Sequence, residues 1–561
     1  MDPNLSLEAY QEFLYSKIEK VEWGGFTVDP DSLHTSLYPH ARAVAAWGMR
    51  RGRALIAAKF GLHKTAIQIE MARQTHLHTD HRFLIVCPLT VRHQFIQKDG
   101  PRLGIDWKFV STDEEIFKTT NPYLITNYES VRLGKIDPRN HSIAGCSLDE
   151  GSILRDLGSD TYQVFNEVFR DVPYRYVCTA TPSPNNFREI LNYADFLQVM
   201  DRGRALTKFF QRNPHKAGDL TLHPQHKRHF WLWVSSWALF IYEPGDLGYP
   251  NDEFQTPGLR VHWHRLEVDH RRAWEQTDNR GQHRLLLDPA SGVSEALAEK
   301  RATLDDRVAK VVEIINEGWT DEDGVYHPAD PDQHHIIWHH LEDERRAIQK
   351  AIPEVVSVYG SQKLEEREQR IIDFSDGKSR LLSTKAELAG SGCNFQHYCH
   401  SNIYAGVSYL FHDFIQSLYR TDRFQQTEVV DAHILYSESE QEIVNEMLRK
   451  WRQHDELVAE MRGIIQQYGL VNEALTWEMQ RTIGIEREEV KSDRFTVVLN
   501  DCILETYNLP DNHFGMILTS IPFSTHYEYV DQVEDLGFND DDERFFEQMD
   551  FLIPQLLRVL K

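Results

Sequence analysis

Short apolar runs alternate with amphipathic helical patterns along two long stretches of the chain, residues 36–200 and 330–436. In the first stretch the pattern of a buried strand occurs at Arg53–Ala58, Phe83–Cys87, Tyr123–Thr126 and Tyr176–Thr179. In the second it occurs at Ile336–Trp338, Val355–Tyr359, Arg380–Ser383, Asn402–Ala405 and Ala432–Tyr436. Apolar strands separated by helices are typical of βαβ units with a parallel sheet. The pattern therefore predicts an α/β fold with two lobes.

The pattern changes between and after these stretches. Residues 205–330 are rich in His, Trp, Pro and Asp, and Asp321–Asp332 has the composition of a polar loop. Ser437 and Glu440 have the spacing of a capping box, and apolar residues follow at helical intervals: Ile443, Met447, Trp451, Val458, Met461 and Ile465. We predict an extended helix to about residue 490, strands at Thr496–Leu499 and Phe514–Thr519, and a helical ending.

Composition narrows the class of protein. The 561 residues correspond to roughly three to four domains, and 41% hydrophobic with 26% charged residues is typical of a folded, soluble chain. With 61 basic and 86 acidic residues the net charge is −25, so any nucleic-acid contact requires a local basic surface. The six cysteines form no CxxC pair, and the start of the chain lacks a secretion signal. We expect a reduced, cytoplasmic protein with no membrane partner.

A candidate phosphate-binding loop, Lys59–Thr65, lies directly between the strand Arg53–Ala58 and a helical run, Ala66–Ala72. In such a loop, backbone N–H groups at the helix start hold phosphates, a lysine reaches the outer phosphates and a hydroxyl ligates Mg²⁺. The motif lacks one of its usual glycines, so by itself it is equally consistent with an ordinary surface turn.

Further residues strengthen the phosphate-site interpretation by their order along the chain. Asp149 and Glu150 end an apolar segment, where an aspartate can hold Mg²⁺ and a glutamate can orient the attacking water. The segment Thr179–Thr181 follows the next strand. Gln416, Arg420 and Arg423 share one helical face, from which arginines can stabilise the charge that develops on a γ-phosphate. Each element alone is consistent with a solvated charge, but together they indicate nucleotide hydrolysis.

These motifs resemble those of superfamily 2 helicases of the DEAD/DEAH type, in the Swi/Snf-like branch. They are most similar to the bacterial and phage proteins in which such an ATPase precedes an N4-cytosine/N6-adenine DNA methyltransferase. The resemblance covers about residues 36–460. It implies two RecA-like lobes with parallel sheets, ATP and Mg²⁺ as cofactors, and double- or single-stranded DNA as partner. The function it implies is that of an ATP-dependent DNA translocase or helicase.

The resemblance also implies roles for individual residues. Nucleotide binding falls to Gly61, His63, Lys64, Thr65, Gly392 and Gln416, with Mg²⁺ held by Thr65 and Asp149. Catalysis falls to Lys64, Asp149, Glu150, Arg420 and Arg423. The nucleic acid is expected to contact Thr90, Arg92, Asn127, Thr181 and Asn394.

The segment His223–Tyr249 places basic residues beside Trp231, Trp233 and Trp237. Aromatic rings next to cations can stack bases and pair with phosphates. We prefer a helix whose tryptophans enter the core between the lobes, which leaves Lys227 and Arg228 at its start as the better nucleic-acid candidates. A second cluster, His334, His335, His339 and His340, alternates across a strand and is therefore not expected to share a metal ion.

Three departures from the family pattern leave an alternative open. His63 stands where a glycine normally precedes the lysine, Ala41 stands near the place of an adenine-reading glutamine, and Gly151-Ser152 follow the Asp-Glu pair. The alternative is a catalytically degenerate DNA-binding scaffold that binds nucleotide weakly or not at all.

The last segment carries a second resemblance. Ser520-Ile521-Pro522-Phe523 is similar to the tetrapeptide of amino-group DNA methyltransferases, which accepts hydrogen bonds from a flipped base and stacks on it. The first proline of that motif is missing, and no glycine-rich loop for S-adenosylmethionine follows. The resemblance implies a truncated, partial Rossmann-like methyltransferase domain. It would use S-adenosylmethionine only if a partner chain completed it.

The observations together predict six segments: an N-terminal extension (1–35), RecA-like lobe 1 (36–204), an interlobe insertion or brace (205–330), RecA-like lobe 2 (331–436), a helical linker (437–490) and the methyltransferase-like domain (491–561).

Overall fold

The computed structural model describes residues 6–17, 24–182, 187–212, 220–224, 227–251, 254–267, 300–321, 323–389, 394–408, 410–470, 485, 487–522, 532–539 and 542–561. These residues form two compact units. One comprises Gly24–Phe196 and Leu239–Arg462, and we call it the cleft unit. The other comprises Met1–Trp23, Leu197–Ala238 and Gly463–Lys561, and we call it the three-segment unit.

The strands and helices follow one another closely along the chain. The strands are β1 Arg53–Ala58, β2 Arg82–Cys87, β3 Lys108–Phe109, β4 Tyr123–Asn127, β5 Ile143–Asp149, β6 Tyr174–Thr179, β7 Phe210–Arg212, β8 Leu220–Leu222, β9 Ala238–Ile241, β10 Leu259–Leu266, β11 Gly318–Thr320, β12 Tyr326–Pro328, β13 His334–Trp338, β14 Val356–Ser357, β15 Leu381–Thr384, β16 Cys399–Tyr404, β17 Val430–Ser437, β18 Glu488–Lys491 and β19 Thr496–Leu499. The helices are α1 Leu7–Lys17, α2 Pro39–Arg51, α3 Lys64–Thr79, α4 Gly100–Arg102, α5 Asp113–Lys118, α6 Tyr128–Arg132, α7 Asp160–Val168, α8 Glu189–Phe196, α9 Arg202–Phe209, α10 Lys227–Trp237, α11 Leu304–Asn316, α12 Glu342–Ala351, α13 Leu364–Ser375, α14 Ala386–Ala389, α15 Phe411–Leu418, α16 Gln441–Tyr468, α17 Cys502–Tyr507 and α18 Asp542–Val559.

The first lobe of the cleft unit is built on a seven-stranded sheet with the order β3-β4-β2-β5-β6-β1-β9. Adjacent strands from β3 through β1 are parallel. Every residue of β5 is buried, as are the last five residues of β1, β2 and β6, because helices cover both faces of a parallel sheet. Since parallel strands end at one edge, the loops after β1, β5 and β6 lie side by side.

The second lobe is built on a six-stranded sheet with the order β10-β17-β16-β13-β15-β14. All five adjacent pairs are parallel. The two sheets confirm the predicted α/β class, and they are consistent with two RecA-like lobes.

A fully buried ion pair lies inside the second lobe. The Arg307 guanidinium donates to a Glu440 carboxylate oxygen over 2.6 Å, and it also donates to Thr303 Oγ1 at 2.7 Å and to the Ala405 carbonyl at 3.0 Å. The same Glu440 oxygen accepts the Ser437 N–H at 2.9 Å, which confirms the predicted capping box. The Glu440 carboxylate thereby links Arg307 to Ser437, where the chain passes from β17 towards α16.

The three-segment unit joins parts of the chain that are far apart in sequence. Its core contains Tyr10 and Phe13 of α1 together with Ile503 of α17 and Phe551 of α18. The Tyr10 hydroxyl donates to an Asp501 carboxylate oxygen over 2.7 Å. The Lys17 ammonium donates to two backbone carbonyls and to the side chain of Gln548 in the same unit. The N-terminal helix is therefore an integral part of a core made mostly from the C-terminal segment.

Two predictions for the C-terminal region were wrong. The helix α16 ends at Tyr468 and Glu488–Lys491 is a strand, so the helical pattern does not run to about residue 490. The predicted strand Phe514–Thr519 is absent: Phe514 makes only an isolated bridge, and Met516 and Leu518 are 75% and 89% exposed. No neighbouring strand among the described residues covers these side chains. The β18–β19 pair is antiparallel, so the described part of 491–561 lacks the parallel sheet of a Rossmann-like domain.

Candidate active site

The phosphate-loop candidate lies where the sequence placed it, between the buried strand β1 and the first turn of α3. Gly61 has φ +92° and His63 has φ 60° and ψ 32°, both in the left-handed region. A Cβ on Gly61 would lie 2.8 Å from the Cβ of Phe424, which belongs to the second lobe. Only glycine allows the two lobes to approach this closely at this point.

Lys64 begins α3 and points back along the loop. Its ammonium donates to the carbonyl of Ala58 over 2.9 Å and lies 4.9 Å from the centre of the Phe60 ring. The guanidinium of Arg420 lies 5.1 Å from the centre of the same ring. Cations from both lobes therefore converge on one aromatic side chain.

Asp149 ends β5 and is buried, with 4% exposure. One of its carboxylate oxygens accepts the Gln68 side-chain amide over 2.7 Å, and the Gln68 carbonyl in turn accepts the Ser147 hydroxyl at 2.7 Å. The Asp149 backbone carbonyl accepts the Tyr128 hydroxyl at 2.7 Å. Gln68, itself held by Ser147, thus orients the Asp149 carboxylate, while Tyr128 fixes the Asp149 backbone.

Glu150 connects the two lobes. Its backbone is left-handed, with φ 51° and ψ 46°. One carboxylate oxygen accepts the Gln416 side-chain amide over 3.2 Å, and the other lies 3.9 Å from a guanidinium nitrogen of Arg420. Gln416 and Arg420 are buried residues of α15 and the turn after it. The structure therefore brings Gly61, Lys64, Asp149, Glu150, Gln416 and Arg420 together. The prediction that Gln416, Arg420 and Arg423 share one helical face was wrong, because α15 ends at Leu418 and both arginines follow it.

The pKa shifts of Lys64 and Asp149 indicate whether the site suits a nucleotide with a divalent cation. Burial lowers the pKa of the Lys64 ammonium, opposed by Glu150 and Asp149. Burial and the adjacent Glu150 raise the pKa of the Asp149 carboxyl, opposed by Gln68 and Lys64. A phosphate beside Lys64 and a cation beside Asp149 would each supply the counter-charge that these buried groups need. The donor set fits ATP and Mg²⁺.

The described residues contain no group of three or more His, Cys, Asp or Glu side chains that could hold a metal ion alone. Mg²⁺ commonly uses one or two carboxylates and completes its octahedron with phosphate oxygens and water. Thr65, which is buried at the start of α3, and Asp149 are the residues that would hold it with the nucleotide.

His63 occupies an aromatic cluster at the mouth of the loop. Its ring centre lies 4.7 Å from that of Tyr38 and 5.4 Å from that of Phe424, and Phe424 stacks on Phe254 at 4.6 Å. Burial and the neighbouring His40 lower the pKa of His63 to about 3. The histidine is a neutral packing residue here. Arg423 is one of the cations that depress its pKa, which places that arginine beside the loop.

The left-handed backbone of His63 allows a direct test of the first departure from the family pattern. Left-handed geometry costs a non-glycine residue about 1–2 kcal/mol, and a β-branched residue more. We expect His63→Gly to retain ATP turnover at or above the unmodified level, and His63→Val to lose it by at least about tenfold. Steady-state turnover and KM for ATP measure both effects. A His63→Val protein as active as the unmodified one would contradict this role of the backbone.

The predicted nucleic-acid residues of the first lobe occupy three separate places. Arg92 lies 3.7 Å from Glu368 of the second lobe and 5.4 Å from the centre of the Phe109 ring. Asn127 caps α6 by accepting the Ser130 N–H at 2.8 Å. Thr181 makes a hydrogen bond to His412 of the second lobe at 3.0 Å. Their contact with nucleic acid remains a prediction.

Other predicted residues lie elsewhere or outside the described part. Gly392, Phe523 and the side chain of Thr90 are outside the described residues, whereas Asn394 is described and partly buried. Ser520 and Pro522 lie in an extended, largely exposed segment of the three-segment unit. Lys227 and Arg228 begin α10 of that unit and are exposed.

The tryptophans of α10 are core residues. Trp231, Trp233 and Trp237 are at most 2% exposed, and the Trp233 ring lies 5.1 Å from that of Phe209. Their burial supports a packing role over base stacking. However, α10 belongs to the three-segment unit, whereas we predicted that these rings pack in a core between the lobes.

Sequence reasoning missed three residues of the site. Gln68 lies four residues after Lys64, so helical spacing alone points it toward the same end of the sheet. His412 lies four residues before Gln416 on α15, which was a usable signal for a shared face. Phe424 directly follows Arg423, but nothing in the sequence indicated its contact with Gly61.

Comparisons with known proteins find similarity to solved structures but not to a protein family. No protein-family model matches the chain, and no curated protein matches it. Among solved structures, the chain is similar to the Sulfolobus solfataricus SWI2/SNF2 ATPase core in complex with dsDNA, with 17% sequence identity and a TM-score of 0.35. The match covers 80% of this chain and 98% of that one. The side chains of the cleft, and not this similarity, carry the proposal below. None of the helices in the described ranges is both long and apolar enough to cross a membrane.

Proposed function

We propose that the protein is a DNA-dependent ATPase that acts as a translocase or helicase. The observation that carries the proposal is the meeting of charges from two lobes: Glu150 of the first lobe is contacted by Gln416 and Arg420 of the second. A carboxylate, a loop lysine and an arginine from the opposite lobe are the groups that phosphoryl transfer requires. DNA as the activating partner is supported by the order of the motifs along the chain.

Each cleft residue has a definite chemical task in this proposal. Lys64 stabilises negative charge on the outer phosphates, and Arg420 stabilises the charge that develops on the transferred group. Mg²⁺, when bound at Thr65 and Asp149, neutralises the phosphate oxygens. Glu150 accepts a hydrogen bond from the attacking water and orients it. A cavity of about 580 Å³, lined by residues that include Glu150 and Gln416, gives this carboxylate access to water.

The test is ATP turnover measured with and without duplex and single-stranded DNA. We expect hydrolysis that DNA stimulates, and a fall of at least about 100-fold in Lys64→Ala and in Glu150→Gln. Lys64→Ala removes a cation next to phosphate, whereas Glu150→Gln keeps the shape of the side chain and removes its charge.

Lys118→Ala is the matched control, because Lys118 is an exposed lysine of the same lobe that pairs with Glu114. Its turnover is expected to equal that of the unmodified protein. Unchanged turnover in both cleft variants would refute the assignment. DNA binding without measurable hydrolysis by the unmodified protein would select the degenerate-scaffold alternative.

We also propose that residues 491–561 are related to amino-group DNA methyltransferases. The similarity of Ser520-Ile521-Pro522-Phe523 to the family tetrapeptide supports the relation. Because the described part of this segment lacks the parallel sheet of a Rossmann-like domain, a binding titration is expected to show no uptake of S-adenosylmethionine, and binding would contradict this expectation.

A further inference from the structure

His412 joins the two lobes by hydrogen bonds, and the proposed mechanism gives it no role. It lies in the first turn of α15, in the second lobe. Its ring nitrogens lie 3.2 Å from the Ser152 hydroxyl (Nε2) and 3.0 Å from the Thr181 hydroxyl (Nδ1). Both hydroxyls belong to the first lobe, and both residues are at most 2% exposed. One side chain of the second lobe therefore joins two separate loops of the first.

The two loops follow adjacent parallel strands. Ser152 lies in the short turn Gly151–Arg155, two residues after Glu150. Thr181 lies two residues after β6, and its N–H is fixed by the Thr179 hydroxyl at 3.1 Å. The pairing of β5 with β6 holds the start of each loop. His412 thus contacts the loop that carries the catalytic carboxylate and a neighbouring loop at the same sheet edge.

The same helix face contacts Glu150 directly. Gln416 lies four residues after His412, so the two side chains are neighbours on α15. Gln416 donates to the Glu150 carboxylate, while His412 holds Ser152. A movement of α15 relative to the first lobe would change both contacts together.

The imidazole suits two hydroxyl partners in its neutral form. Burial and the nearby Arg155 lower the pKa of His412 to about 3. A neutral imidazole has one donor and one acceptor nitrogen, and each hydroxyl can take the complementary role. No change of charge is needed when the contacts form or break.

We infer that His412 is a positioning residue, which places the Glu150 loop for hydrolysis only when the second lobe is docked on the first. This inference rests on the proposed function. In this role the contacts of His412 depend on the position of the second lobe, and His412 does not contact the nucleotide. DNA that favours the docked arrangement would then raise turnover through this contact.

Substitutions can separate the two hydrogen bonds. An asparagine amide reaches the place of Nδ1 and a glutamine amide the place of Nε2, so His412→Asn retains the Thr181 bond and His412→Gln the Ser152 bond. We expect His412→Ala to lower the ratio of DNA-stimulated to DNA-free turnover by about tenfold, and the two amide variants to lie between. KM for ATP is expected to change less than about twofold, since no nucleotide contact is lost. In a protein that already carries Ser152→Ala and Thr181→Val, both hydrogen bonds are absent. Adding His412→Ala to it is expected to lower the ratio of DNA-stimulated to DNA-free turnover by less than about a further twofold.

The outcomes separate this inference from the proposed function. His81→Ala, an exposed histidine of the first lobe, is the control and is expected to keep the full stimulation ratio. An unmodified protein without DNA-stimulated hydrolysis overturns both. Normal stimulation in the unmodified protein with an unchanged ratio in His412→Ala overturns only the role of His412. If thermal unfolding shows that His412→Ala is misfolded, the asparagine and glutamine variants decide, and full stimulation in both overturns the inference.

Discussion

Replacing Arg420 with alanine is expected to lower DNA-stimulated ATP turnover by about 10³-fold. Arginines that stabilise phosphoryl transfer from across a cleft contribute about 10³–10⁵-fold to turnover. The side chain is 4% exposed and lies between the Phe60 ring and the Glu150 carboxylate. Single-turnover hydrolysis with DNA present measures the chemical step, and equilibrium nucleotide binding measures affinity separately.

Two further variants sharpen the Arg420 test. Arg420→Lys keeps the positive charge but loses the planar fork of donors, and we expect it to recover little of the turnover. Arg449→Ala removes an exposed arginine of α16 that pairs with Glu446 and is expected to behave as the unmodified protein. A fall of less than about tenfold in Arg420→Ala would contradict a direct role in the transition state.

The largest effect on stability is expected for Arg307→Ala. Removing one partner of a buried ion pair leaves the other charge buried and uncompensated, which costs about 3–5 kcal/mol. Arg307 and Glu440 are fully buried, and Arg307 also donates to Thr303 and to the Ala405 carbonyl. We expect Arg307→Ala to lower markedly the urea concentration at which the cleft unit unfolds. Tryptophan fluorescence and far-ultraviolet circular dichroism measure this unfolding.

The control for Arg307 is Arg301→Ala. Arg301 pairs with Asp343 at 3.8 Å, and both side chains are more than half exposed, so no measurable change is expected. The double variant Arg307→Met/Glu440→Leu is expected to recover much of the loss, because it leaves no unpaired buried charge. An Arg307→Ala protein that unfolds at the same urea concentration as the unmodified one would show that the Arg307–Glu440 pair does not stabilise the fold.

The positions of the buried strands of the first lobe were predictable. Arg53–Ala58 begins and ends as predicted, and β2, β4 and β6 differ only at their ends. Thr496–Leu499 also begins and ends as predicted, although its side chains are largely exposed. Continuous apolar runs bounded by polar residues leave little choice of conformation. The run Phe514–Thr519 is equally apolar but extended without a ladder, because a strand needs a neighbour and local sequence does not supply one. Residues Val355–Tyr359 yield only the two-residue strand β14, which pairs with β15 at the edge of the second sheet.

The site was predictable in so far as its motifs lie within single loops and helices. Lys64, Asp149 and Glu150 each follow a strand, and parallel strands bring their ends together at one edge. The partners from the opposite lobe were harder to predict. Gln416 and Arg420 were identified by helical spacing and by the resemblance, the spacing of His412 to Gln416 was not used, and nothing local indicated Phe424. Contacts such as Phe424 with Gly61 depend on how the lobes meet, which periodicity does not encode.

The hydrogen bond between Tyr10 and Asp501 spans 491 positions of the chain. During synthesis at about 5–20 residues per second, the first helix would emerge roughly 25–100 s before the aspartate that it needs. For that time its apolar face, with Phe13 and Leu14, has no native partner. The nascent chain therefore exposes this apolar face until the segment that contains Asp501 has been synthesised.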